Sequence, residues 1–80
     1  MKKELEGFVL GSKAREKVLL ILAKGHVLDG ETIARKGRIM HSVCLKTLDE
    51  LEEKGLVSRE QGGYRITKLG IEIENMIRER

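Results

Sequence analysis

Leu48-Asp49-Glu50-Leu51-Glu52-Glu53-Lys54-Gly55-Leu56-Val57 changes its hydrophobic period within one short run, and that change decides the fold. Leu48 and Leu51 share one narrow stripe with Cys44 at 100° per residue, so the pattern predicts a helix from about Met40 to Lys54, ended by Gly55. Beyond it, Leu56-Val57-Ser58-Arg59-Glu60, Gln61-Gly62-Gly63 and Tyr64-Arg65-Ile66-Thr67 read as strand, turn and strand, because Gly-Gly tolerates the positive φ angles of a tight hairpin turn. With Gly62 and Gly63 at the centre, Gln61 faces Tyr64, Glu60 faces Arg65 and Arg59 faces Ile66, while Val57, Tyr64 and Ile66 share the inner face. Thr67 can cap a last helix whose stripe is Leu69, Ile73, Met76 and Ile77, with Ile71 on the opposite side.

Upstream, Ser12 is a candidate N-cap for a helix over Lys13 to Lys24, with apolar residues at 14, 18, 21 and 22 and Gly25 as its stop. His26-Val27-Leu28 suits a short extended segment. Asp29 then offers its carboxylate to a second helix running through Ile33 and Ala34 to about Lys36, where Gly37 breaks the chain. Two helices joined by a short Gly-containing turn make a helix-turn-helix candidate.

This order of elements, and the wording of three stretches, resemble winged helix-turn-helix transcriptional regulators of the MarR, ArsR and PadR kind. Residues 48–57 look like the end of their recognition helix and its entry into the wing. Glu31-Thr32-Ile33-Ala34-Arg35-Lys36-Gly37 is similar to their second helix, and Tyr64-Arg65-Ile66-Thr67-Lys68-Leu69-Gly70 to their wing-to-helix return. The resemblance covers roughly residues 12–78 and implies a mainly helical α+β domain over residues 1–80, in which 1–11 form an N-terminal extension. Two departures stand out: the turn after Gly37 is one residue longer than usual, and Leu45 occupies a position that is often polar.

Eighty residues allow one domain with one core. Sixteen Lys plus Arg against thirteen Asp plus Glu leave a formal +3, which permits a polyanionic partner without demanding one. A lone Cys44 cannot close an intrachain disulfide, and no signal-peptide pattern opens the chain, so a cytoplasmic protein is expected. The longest apolar run, Val18 to Ala23, is far below the roughly 20 residues of a membrane span. High charge with one Asn and one Gln is the profile of hyperthermophile proteins, whereas the absence of Pro runs against it.

Charge placement locates a nucleic-acid surface. Arg35, Lys36, Arg38 and Lys46 lie in a stretch without an acid, whereas Asp49, Glu50, Glu52 and Glu53 crowd the second half of the same helix. Duplex phosphates, about one charge per 1.7 Å, would repel that half, so only the N-terminal half can approach DNA. Ser42 and Lys46 fall about 160° and about 200° from Cys44 and point outward. Lys46 can reach a guanine edge or a phosphate, Ser42 can donate to either, and Val43 or Leu45 can touch a thymine methyl. His41 lies on the same turn, and Arg38 and Lys36 are candidates for phosphate contact. In the wing, Gln61 at the tip and Arg59 beyond the edge can reach DNA, while Arg65 either does so or pairs with Glu60. An ordinary solvated lysine is the alternative for Lys46.

His41 and Cys44, three apart on a helix, lack the further ligands that zinc requires, so no metal is expected. No cofactor, small-molecule substrate or catalytic set is expected either, and two aromatics, Phe8 and Tyr64, are too few for an unpaired-base platform. The first helix is apolar nearly all round. Leu19, Leu20 and Ile71 therefore need cover, either from Phe8-Val9-Leu10 folding back or from a partner copy in a homodimer. The sequence thus predicts a sequence-specific duplex-DNA-binding regulator without enzyme activity. A winged helix protein-interaction module is the alternative, suited by Val43, Leu45 and the acidic half-helix.

Overall fold

Three helices begin where a side-chain oxygen can replace a missing backbone acceptor. In the computed structural model, which describes residues 1–80, the elements are α1 (Lys2–Leu10), α2 (Lys13–Leu22), α3 (Gly30–Gly37), α4 (His41–Glu53), β1 (Val57–Glu60), β2 (Gly63–Ile66) and α5 (Lys68–Arg78). Ser12 accepts from the Arg15 N–H at 3.3 Å, Asp29 from Thr32 at 2.8 Å and Thr67 from Gly70 at 3.0 Å. Each such cap stabilises its helix by about 1 kcal/mol. Thr67 also donates its hydroxyl to the Gly55 carbonyl at 2.7 Å, tying the start of α5 to the end of the α4 turn.

The buried side chains come from every element. Val18, Leu19 and Leu22 of α2 meet Ile33 and Ala34 of α3, Cys44, Leu48 and Leu51 of α4, Leu56, Val57 and Ile66 of the hairpin, and Ile73 of α5. The result is the mainly helical α+β winged helix-turn-helix that the period change at Gly55 implies.

Three expectations need correction. Residues 1–11 are an integral part of the fold: α1 packs on α2 and α5, and its Val9 is fully buried. Arg15 secures it, donating to the Phe8 carbonyl at 2.8 Å with its guanidinium 4.0 Å from the Phe8 ring centroid. Without a capping side chain, and with Gly7 inside it, α1 carries no strong start or stop in sequence. Leu19 is covered by this packing, 1% exposed, and so has no surface to offer a partner. The helix α2 also stops two residues earlier than Lys24, at Leu22, before Gly25 takes φ 92°.

The hairpin register is also displaced from the expected one. Val57 pairs with Ile66, Ser58 with Arg65, Arg59 with Tyr64 and Glu60 with Gly63, so Gln61 and Gly62 form the turn. Gly63 is withheld from the turn by its neighbour. Leu28 bridges to Tyr64 with N–H···O distances of 3.0 and 2.8 Å, and a Cβ on Gly63 would lie 2.3 Å from the Leu28 oxygen. Only glycine permits that approach, leaving the positive φ of the turn, 92°, to Gly62. Arg65 therefore faces Ser58 rather than Glu60.

Candidate nucleic-acid interface

The turn between α3 and α4 is closed by two backbone bonds, from the Ile39 N–H to the Ala34 oxygen at 2.9 Å and from the Arg38 N–H to the Arg35 oxygen at 3.3 Å. This closure needs one left-handed residue, usually glycine. Here that residue is Arg38, at φ 54° and ψ 47°, the one non-glycine with positive φ. Gly37 stands one position earlier, where a Cβ would lie 2.9 Å from Ile39 Cδ1 and 3.1 Å from Ile21 Cδ1, side-chain ends that would have to shift to admit it. The arginine accordingly bears a conformational cost of about 1 kcal/mol.

Past this turn the N-terminal half of α4 forms an open surface. Its inward face is Cys44, Thr47, Leu48 and Leu51, which leaves His41, Ser42, Val43, Leu45 and Lys46 exposed. Lys36 and Arg38 are exposed beside them. None of Arg35, Lys36, Arg38 and Lys46 joins an ion pair, and no acid lies between Arg35 and Lys46. His41, Ser42, Val43, Leu45 and Lys46 thus lie exposed on the first turns of α4, with Arg38 in the turn before it and Lys36 in the last turn of α3. Met40, 73% exposed at the head of α4, belongs to this surface too. Its position between the Gly37 break and the first helical turn gives no periodic signal.

The C-terminal half differs. Arg59 on β1 donates from Nε to Glu52 and from its NH2 group to Asp49, both at 3.0 Å, and its guanidinium lies 5.4 Å from the Tyr64 ring centroid. Arg15 reaches Glu50 at 3.0 Å from the other side. That hydrogen bond holds the Glu50 carboxyl below the usual carboxylate range. Arg59 is thus turned back onto α4 and does not extend past the hairpin edge. Asp49 and Glu52, three apart near the strand that follows, are the sequence signal for this fork. In the hairpin, Gln61 is exposed at the tip, and Arg65 is exposed without an acidic partner.

Cys44 is fully buried, its thiol donating to the Gly30 carbonyl at 3.6 Å, and burial pushes its pKa up. It packs α4 against the start of α3, while His41 remains exposed. Leu20 and Ile71 are 57% and 42% exposed, but they do not share a groove: Leu20 lines three hollows along α2, none of which includes Ile71. No helix is long and apolar enough to cross a membrane.

Comparison with known proteins supplies a family. No match is found among curated protein sequences. A solved structure of a hypothetical protein from Sulfolobus solfataricus is similar with a TM-score of 0.75 and 28% identity, over 82% of this chain and 54% of that one. The chain therefore spans about half the length of that protein. Residues 2–79 match the family described as methanogenesis regulatory protein FilR1, N-terminal domain. With nearly every residue inside the match, α1 included, the chain belongs to this regulatory family.

Proposed function

We propose that residues 1–80 act as one unit that binds duplex DNA sequence-specifically, as a transcriptional regulator working in the manner of the MarR, ArsR and PadR winged helices. The exposed, acid-free surface from Arg35 to Lys46 carries this reading, because it offers unpaired cations where the rest of α4 holds its carboxylates back. The N-terminal half of α4 enters the major groove. Lys46 and Ser42 meet base edges or phosphate, Arg38 and Lys36 clamp backbone, His41 flanks them, and Val43, Leu45 and Met40 meet thymine methyls. The wing rests on adjacent backbone through Gln61 and Arg65, held at its angle by Arg59. A homodimer, formed through the Ile71 face of α5, would present two half-sites and gain affinity by linkage.

Fluorescence anisotropy with pooled duplex DNA at 50 and 200 mM salt tests the reading, with Arg38→Ala plus Lys46→Ala beside the native chain. Loss of two phosphate contacts should lower the salt slope by about 1.8 and weaken binding at least tenfold. A folded native chain that ignores duplex DNA at low salt would remove the assignment.

A second reading rests on Met40, Val43 and Leu45, which are 73%, 41% and 40% exposed around the same helix end. As a protein-docking face they would give salt-tolerant capture of a partner and no duplex binding.

A further inference from the structure

We propose that the cleft between α2 and α3 binds a small amphiphilic anion: a phosphate monoester or carboxylate carrying a short apolar chain. The cleft has a volume of about 520 Å³ and is lined by Leu20, Ile21, Lys24, His26, Leu28 and Lys36. A second hollow of about 270 Å³ shares Leu20, Ile21 and Lys36 with it and runs on to Lys17, Gly37 and Arg38. Together they make a trough with an apolar floor and a cationic rim.

Charge distribution argues that the trough has a ligand. Its four permanent cations, Lys17, Lys24, Lys36 and Arg38, join no ion pair, and no carboxylate lines either hollow. The other two hollows of the molecule each contain acids, Glu16 and Glu74 in one, Glu4 and Glu53 in the other. Elsewhere Lys2, Arg15, Arg59, Arg78 and Arg80 meet carboxylates, while Lys3, Lys13, Lys54, Arg65 and Lys68 join no ion pair either; the trough differs in bringing its cations to two adjoining hollows with no acid among their lining. Lys17 is steered to the trough by donating to the Gly37 carbonyl at 3.3 Å.

The floor selects the rest of the ligand. Leu20 is 57% exposed, so more than half of it is open to a ligand. A hydrophilic anion alone would leave that floor wet, and a neutral apolar molecule would leave the rim unmatched. An amphiphile satisfies both, with its head taking charge-assisted hydrogen bonds from Lys24 and Lys36 and its chain lying on Leu20, Ile21 and Leu28. The volume falls within the range of about 300–1,000 Å³ typical of small-ligand sites.

No residue of α4 or the hairpin lines the trough, so ligand binding does not depend on the DNA reading. Its consequence does: Lys36 and Arg38 are shared with the proposed phosphate contacts, so occupation of the trough opposes DNA binding.

The probe is octyl phosphate below its micelle-forming concentration, titrated into the native chain without DNA and followed by amide chemical shifts. Saturable shifts confined to residues 17–28 and 36–38 are expected, with inorganic phosphate and octanol each at least tenfold weaker. Octanoate distinguishes a carboxylate head from a phosphate head. Leu20→Ser and Lys24→Glu, both at exposed positions, should each weaken octyl phosphate at least tenfold with the circular dichroism unchanged. Shifts scattered over lysines throughout the chain, equal binding of inorganic phosphate or of octanol, or no saturation would overturn the proposal. So would a ligand-free dimer in sedimentation that Leu20→Ser dissolves, because a second copy would then own the floor. At saturating octyl phosphate, duplex affinity should fall at least threefold; unchanged affinity removes the competition, whereas failure to bind DNA at all removes the DNA reading and leaves the ligand result standing.

Discussion

The two halves of α4 share one buried stripe and differ in everything they show to solvent. The first half exposes Ser42 and Lys46 and carries no carboxylate, whereas the second carries four acids, two exposed and two half-buried, and neutralises three of them with arginines from other elements. Arg15 arrives from α2 and Arg59 from β1, so the same ion pairs that restrain the acidic half fasten the N-terminal helices and the wing to it. One end of the helix is thus built to meet a partner and the other to be held by the fold.

The sharpest way to break this division is to attack what both halves share. Leu48 is fully buried at their junction, and Leu48→Ala should lower the unfolding free energy by about 2–5 kcal/mol in urea titration. Lys46→Ala, two positions away on the outer face, should stay within about 0.5 kcal/mol of the native chain. Comparable losses would mean that the outer face is structural and would remove the distinction.

Arg59 tests the acidic half directly. If it restrains Asp49 and Glu52, Arg59→Ala unmasks two carboxylates beside the duplex and should weaken DNA binding about tenfold, of the order of a lost charge-assisted contact. The same change made in a chain already carrying Asp49→Asn and Glu52→Gln should then cost less than threefold, by the logic of a double-mutant cycle. A full tenfold loss in both backgrounds would make Arg59 a phosphate contact after all.

This arginine also marks where the sequence stops being legible. The elements of residues 12–78 follow from local rules: caps at Ser12, Asp29 and Thr67, and a hydrophobic period that changes at Gly55. The inward face of α4 follows from the same period, and so does the outward direction of Ser42 and Lys46. What local rules do not carry is a demand made by a distant residue. Gly63 sits in β2 because Leu28 approaches it, which displaces the hairpin register and separates Arg65 from Glu60. Arg59 turns inward because α4 presents two acids to it across the connecting turn. The helix α1 has no side-chain cap to announce it, and its place in the fold shows only in what it packs on, α2 and α5. The trough between α2 and α3 is likewise invisible in a linear reading, since Lys17, Lys24 and Lys36 come together only when the helices pack.

Arg38 sharpens the comparison from the other end, because it should show stability and binding moving in opposite directions. Its left-handed backbone suits glycine, so Arg38→Gly should raise the unfolding free energy by about 0.5–1 kcal/mol while weakening duplex affinity severalfold. Arg38→Ala should lose the same affinity without the gain in stability. A glycine variant that is more stable and binds DNA as well as the native chain would show that the residue has no part in the interface.

The smallest expected effect lies in acid, and it too separates the halves. Glu50 is held below the usual carboxylate range by the Arg15 hydrogen bond, and Asp29 by its hydrogen bonds to Thr32. A carboxyl depressed in the folded state contributes stability that is present above its unfolded pKa and is lost as pH falls through its folded pKa. Stability should therefore decline as the pH drops through and below the ordinary carboxylate range. Glu50→Gln should flatten part of that decline, and Asp29→Asn, which can keep the cap without the charge, should flatten another part. Ser42→Ala, on the open half of α4, should leave the shape of the curve unchanged. Because both carboxyls lie at the surface and are screened by solvent, the differences should be modest, and paired thermal melts at pH 7 and pH 3 would read them. An acid decline that Glu50→Gln leaves intact would mean that the Arg15 pair with Glu50 adds nothing to stability and that Arg15 serves the fold through its Phe8 contact, between α2 and α1.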